Sequence, residues 1–165
     1  MPQDTIFRFD PRRCKVLRAM KRVLFLCSGN YYRSRFAEIY FNWQVEHLGL
    51  PWRAESRGLA LDGRNSGPLS RHTSATLAAR GISWAEYLRS PLSVTDADFA
   101  AADRVIAVKA AEHRHIVEAQ FPAWRDRVEY WHVHDLDCAT PPQTFAHLEQ
   151  EITQLLAGLS SAMAA

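Results

Sequence analysis

The chain has 165 residues, enough for one domain with a buried core, and its 47% hydrophobic and 23% charged residues are those of an ordinary globular protein. A net charge of +2 is too small to argue for nucleic acid, and the apolar run Val23 to Cys27 is too short to cross a membrane. Three cysteines with no Cys-x-x-Cys pair make no disulfide framework and fit a reducing, cytoplasmic setting.

Residues 1–20 carry Pro2, Pro11 and several arginines without periodicity, and read as a flexible extension before a domain over 21–160. KRVLFLC (21–27) predicts a buried strand ended by a turn. Residues 34–48 predict a helix with Phe36, Ile39, Tyr40, Trp43 and Leu48 on its apolar stripe and Gly49 as its stop. RAESRGL (53–59) predicts a second strand, DGRNSGPLS (62–70) a loop, and residues 70–80 a helix stopped by Gly81. Thr95 and Asp98 have capping-box spacing. RVIAV (104–108) predicts a third strand, 110–121 a helix closed at Pro122, VEYWHV (128–133) a fourth strand, and 143–159 a last helix with Phe145, Leu148, Ile152, Leu155 and Leu156 inward. Strands alternating with helices predict an α/β fold, a parallel sheet covered by helices on both faces. Ligands of such sheets bind at the carboxyl ends of strands, where Cys27 sits.

The corner VLFLCSGNYYRSRFAE (23–38) carries the chemistry. A cysteine and an arginine six positions apart recur by chance in a chain whose 20 basic residues include only three lysines, Lys15, Lys21 and Lys109. The order of the corner is more demanding. Gly29 admits backbone conformations closed to other residues, Asn30 can bond across the loop, and Ser34 opens a helix whose first N–H groups are unpaired. From Ser28 through Gly29, Asn30, Tyr31 and Tyr32 the backbone N–H groups and the helix start converge as an anion nest, with Arg33 as a fork of donors. The field that favours a phosphate there also favours a thiolate at Cys27 over a thiol, which makes it a nucleophile in position. No Gly-x4-Gly-Lys-[Ser/Thr] is present, so the corner is not a nucleotide loop and calls for no magnesium or other cofactor.

Strand-Cys-x-Gly-Asn-x-x-Arg-Ser-helix, with ESRG (55–58), DADFAAADRVIAV (96–108) and WHVHDLD (131–137), resembles the low-molecular-weight protein tyrosine phosphatases, a family that includes related arsenate reductases. The resemblance runs from Lys21 to about Leu159. It implies a four-stranded parallel sheet with the phosphate-binding loop after the first strand, and hydrolysis of phosphate monoesters, phosphotyrosine foremost, through a cysteinyl-phosphate. It implies Cys27 as nucleophile, Arg33 as phosphate clamp, Ser34 as support for the thiolate, and Asn30 and Ser56 as braces. The partners implied are a phosphorylated protein or a small phosphate ester, not nucleic acid or membrane.

A monoester's leaving oxygen must be protonated, and the family's acid follows its last strand, at Asp135; Asp137 is the alternative. Leu136 stands where the family has proline, Tyr31 and Tyr32 where isoleucine and cysteine are familiar, and Lys109 where aspartate is usual. The two tyrosines could stack on an aromatic leaving group or pack the loop against the body. The aromatic pair after the acid is absent, since 137–140 reads DCAT. His132, His134, Asp135 and Cys138 are metal-ligand types within seven residues, but the His-x-His-x-Asp spacing fails at Leu136 and no metal is expected. His113 and His115 are expected to face water. Cys138, the only other cysteine of the domain, is expected to be an idle, half-buried thiol. Two other functions use the same cradle. An arsenate reductase needs relay cysteines, of which 28–137 holds none, and a non-catalytic phosphate-binding module would lack the acid.

Overall fold

The computed structural model describes residues 19–165; the extension expected over residues 1–20 lies outside them but for its last two residues. Four strands, β1 (Lys21–Cys27), β2 (Trp52–Gly58), β3 (Arg104–Ala107) and β4 (Val128–Tyr130), form one parallel sheet in the order β2-β1-β3-β4. Between and after them run α1 (Arg33–Leu48), α2 (Arg71–Ala79), α3 (Asp96–Ala101), α4 (Ala110–Gln120) and α5 (Pro141–Ala164). None of these helices is long and apolar enough to cross a membrane.

Strand β1 is central because its side chains are apolar on both faces. Val23, Phe25 and Cys27 join α1 and α5 in one core, while Leu24 and Leu26 join α3 and α4 in the other. The chain steps from β1 outward to β2, then crosses back over β1 to β3. Strand order therefore reverses at β1, and a crevice opens beyond its carboxyl end, where Cys27 lies.

Three departures from expectation bear on the packing. Pairing of β4 stops at Tyr130, short of the expected Val133, because β3 ends at Ala107 and the chain turns there into α4. Beyond that point Val133 N–H donates to Val108 O, and Lys109 and His132 form an isolated antiparallel bridge. Helix α5 starts before residue 143 because Thr140 and Gln143 cap each other reciprocally and Pro141 fits a first turn. Leu48 is 55% exposed rather than inward. Helix α1 buries Phe36, Ile39, Phe41 and Val45 together with the polar Asn42, whose amide exchanges two hydrogen bonds with Ala54 of β2.

Gly58 closes β2 opposite Cys27 and lets the backbone that follows β1 approach. A Cβ there would lie 2.7 Å from Ser28 O and 2.5 Å from a Leu61 methyl. Gly58→Ala is expected to displace Ser28 and to cost about 1–3 kcal/mol of stability, with a parallel loss of activity. Urea unfolding and turnover, measured on the same preparation, check it.

Candidate active site

Cys27 is 3% exposed at the end of β1, and the chain leaves the sheet through Ser28 to Tyr32 before α1 begins at Arg33. The unusual backbone of this loop belongs to Asn30, not to Gly29 as expected. Asn30 has φ of +48°, the one positive value among described non-glycine residues, and Gly29 has none. Asparagine tolerates that region because its short amide can bond locally. Gly29 serves spacing instead, since a Cβ there would come 3.1 Å from Asn65 Nδ2.

Donors and acceptors around Asn30 can be counted through. Its Oδ1 accepts from Arg89 Nη1 at 2.9 Å and from Leu92 N–H at 3.0 Å. Nδ2 therefore faces inward and donates to Ser34 Oγ at 3.0 Å and Ser56 Oγ at 2.9 Å. Ser56 passes its hydroxyl hydrogen to Glu38 Oε2 at 2.6 Å. Ser34 Oγ lies 2.9 Å from Cys27 Sγ with an acceptor position already filled by Asn30. Its hydrogen is free to point at sulfur, the arrangement a thiolate needs.

Arg33 is 1% exposed. Nη1 donates to Val133 O at 3.0 Å, and Nη2 donates to Glu112 Oε2 at 2.7 Å and Asp135 Oδ2 at 2.9 Å. Burial opposes the guanidinium charge, but Cys27, Asp135 and Glu112 around it outweigh burial and raise its pKa. Burial likewise works against the Glu112 carboxylate, and its bonds to Arg33 and Lys109 overcome this and lower its pKa. Lys109 Nζ reaches the other Glu112 oxygen at 2.9 Å.

His113 is fully buried, which corrects the expectation that it faces water; His115 is exposed. Its Nδ1 accepts from Lys109 N–H at 3.1 Å, and its Nε2 lies 3.1 Å from Ser28 Oγ. Burial, reinforced by the Arg33 charge, lowers its pKa from 6.5 to about 4. Residues 109–113 carried a legible signal, because they follow the carboxyl end of a parallel strand. Arg89 carried none.

A cleft of roughly 640 Å³ opens over Cys27 and Arg33, walled by Tyr31, Glu112, Asp135 and Leu136. The two loop tyrosines divide. Both line the cleft, but Tyr32 is buried edge-on against Phe145 and His72, whereas Tyr31 is only half-buried and donates its hydroxyl to Ser66 O. Asp137 lines the cleft without an ion pair among the described residues, and Cys138 is exposed rather than half-buried. His132 and His134 are exposed, and the metal-ligand types of that stretch form no group of three among the described residues.

The family described as low molecular weight phosphotyrosine protein phosphatase matches residues 22–164. The chain belongs to that family. Over 106 residues, 64% of this chain and 67% of the relative, it is 31% identical to a protein-arginine-phosphatase of Bacillus subtilis (strain 168). It is 27% identical to the low molecular weight protein tyrosine phosphatase of T. tengcongensis, with a TM-score of 0.73 over 84% of this chain and 99% of that one. YfkJ of Bacillus subtilis shares the fold, with a TM-score of 0.76 and 23% identity over 87% of this chain and 97% of that one. The protein is a cysteine-dependent phosphatase.

The phosphatase carries a pH signature in His113. Its native pKa of about 4 lies below the ordinary 6.5, so between those values the unfolded chain binds the extra proton. The stability due to a neutral His113 is complete above pH 6.5 and is lost as pH falls toward 4, on the order of 3 kcal/mol in all. Thermal unfolding should show that decline in wild type and a flatter one in His113→Gln from pH 6.5 to 5, above the carboxylate range.

Proposed function

We propose that this phosphatase hydrolyses aryl phosphate monoesters, phosphotyrosine in proteins foremost, with Cys27 as nucleophile, Arg33 as phosphate clamp and Asp135 as acid. One observation carries the reading: the Cys27 sulfur lies under the cleft with the Ser34 hydroxyl at 2.9 Å and the buried Arg33 beside it. The thiolate attacks phosphorus, forming the S–P bond as the leaving O–P bond breaks, and Asp135 gives its proton to the leaving oxygen. A water then attacks phosphorus, Asp135 takes its proton, and the S–P bond breaks to restore the thiolate. Ser34 holds the thiolate, Asn30 and Ser56 brace the loop, and the Ser28 to Tyr32 backbone receives phosphoryl oxygens.

Support for Asp135 over Asp137 is its bond to Arg33, which sets it beside the oxygens that the arginine would hold. Arg33 exchanges Asp135 for phosphate on binding, while Glu112 and Val133 O stay as its partners. The ring of Tyr31 and the exposed Leu136 give an aromatic leaving group apolar walls. A second reading, phosphoarginine, is favoured by the acidic cleft residues Asp62, Glu112, Asp135 and Asp137, which suit a cationic leaving group, and by the likeness to a protein-arginine-phosphatase. Turnover of matched phosphotyrosyl and phosphoarginyl peptides decides between them. The unpaired cysteines favour a reducing cytoplasm as its place of work.

Cys27→Ser should abolish hydrolysis while vanadate still binds; turnover above a few per cent of wild type in a folded variant refutes the nucleophile. Asp135→Asn should lower turnover about 10²–10⁴-fold for esters with poor leaving groups and much less for nitrophenyl phosphate. If Asp137→Asn shows that dependence instead, the acid is two residues further on.

A further inference from the structure

The first turn of α4 holds a polar chain that the proposed reaction does not use. Lys109 caps the helix, and its backbone N–H, which can only donate, points at His113 Nδ1 from 3.1 Å. Nδ1 must therefore be bare, and the one hydrogen of the neutral ring sits on Nε2. Of the two acceptors near Nε2, Ser28 Oγ is at 3.1 Å and Glu112 Oε2 at 3.5 Å, so Ser28 receives the bond. This tautomer rules out the histidine as a base for the serine, since the ring nitrogen facing the hydroxyl has no free lone pair. Ser28 Oγ thus has an acceptor site filled from behind, and its own hydrogen has no partner among the described residues. Ser28 lines the cleft beside Cys27 and Arg33.

We propose that the Ser28 hydroxyl is a further donor to the bound phosphoryl group, and that His113 is a positioning residue that aims it. The inference rests on the reading of this cleft as the phosphate site. A freely rotating hydroxyl would divide its hydrogen between the cleft and the protein. With Nε2–H donating to its oxygen, the hydrogen is turned away from the imidazole, toward the cleft. A hydrogen bond to a charged acceptor is stronger than one between neutral groups, so the contact gains most when phosphate carries its full charge. Lys109 adds to this through its backbone alone, while its ammonium serves Glu112.

The experiment is competitive inhibition by inorganic phosphate in wild type, Ser28→Ala, His113→Leu, His113→Gln and the Ser28→Ala/His113→Leu double variant, each checked for folding by circular dichroism. Ser28→Ala should raise the inhibition constant and KM about 10–100-fold, with a smaller change in kcat. His113→Leu should weaken phosphate binding in the wild-type background and add nothing once Ser28 is alanine. His113→Gln, which keeps a donor at the outer end of the side chain, should recover most of the loss. Nitrogen-15 NMR of the intact protein should show the hydrogen on Nε2, a readout independent of any variant. Unchanged phosphate affinity in Ser28→Ala, an equal His113→Leu penalty in both backgrounds, or the hydrogen on Nδ1 would each overturn the proposal while leaving the phosphatase reading intact. Failure of the unaltered enzyme to bind phosphate would overturn both.

Discussion

A buried guanidinium governs the active end of this molecule. Arg33 is 1% exposed, and a cation so removed from water is destabilising by several kcal/mol unless its donors are met. Its partners come from well beyond α1: Val133 and Asp135 follow β4, and Glu112 belongs to the first turn of α4. One charge thereby ties together the connections after three of the four strands. The tie adds to the anchoring of the loop bearing Asp135 by buried Val133 and by the Thr144 bond to His134 O, where Leu136, Asp137 and Cys138 are exposed and contribute little packing. The proposed clamp and the proposed acid share an ion pair, so in the proposed reaction phosphate binding and release of the acid are a single exchange.

Around this charge the polar groups form a chain with little freedom. Each of Arg89, Leu92, Asn30 and Ser56 gives a hydrogen to the next acceptor, and the chain ends on the Glu38 carboxylate and on Ser34 Oγ, which lies 2.9 Å from the Cys27 sulfur. Partly satisfied networks of this kind are costly, and fully satisfied ones hold a single geometry. The direction matters chemically. Because Asn30 must present its amide nitrogen inward, Ser34 is free to give its hydrogen to sulfur. Arg89 sets that direction from outside the loop, through Asn30 Oδ1 and the Ser56 carbonyl. Burial and neighbouring Arg35 work against the Arg89 charge and lower its pKa, while the nearby Glu38 carboxylate opposes them.

Helix α1 shows how function reshapes a folding pattern. Its buried residues include Arg33, Ser34, Arg35, Glu38 and Asn42 beside Phe36, Ile39 and Phe41. An apolar stripe read at helical spacing misplaces Leu48, which is exposed, because part of the buried face is polar: Arg33 bonds Val133, Glu112 and Asp135, Arg35 bonds Glu38, and Asn42 bonds Ala54. Sequence periodicity reports hydrophobicity, and here burial and hydrophobicity part company.

Local physics made much of this protein legible without coordinates. Short apolar runs ended by turn residues marked the strands, capping residues marked α3, and the contiguous order of Cys27, Gly29, Asn30, Arg33 and Ser34 marked the corner proposed as the phosphate site, because a strand-turn-helix corner is built from neighbours in the chain. Asp135 came instead from the family resemblance, with Asp137 as its alternative. Local reasoning failed wherever the deciding contact joined distant segments. Gly29 and Asn30 are adjacent, yet which of them takes the left-handed backbone follows from the bonds of Asn30 to Ser56, Arg89 and Leu92. Tyr31 and Tyr32 are chemically alike, and only the packing of Phe145 and His72 against one of them makes it part of the core. His113 and Glu112 look like the solvated face of a helix until the parallel sheet brings the start of α4 against Ser28 and Arg33. A buried charge or hydroxyl selects its partner by distance in space, which sequence spacing does not encode, and that selection was left to the tertiary structure.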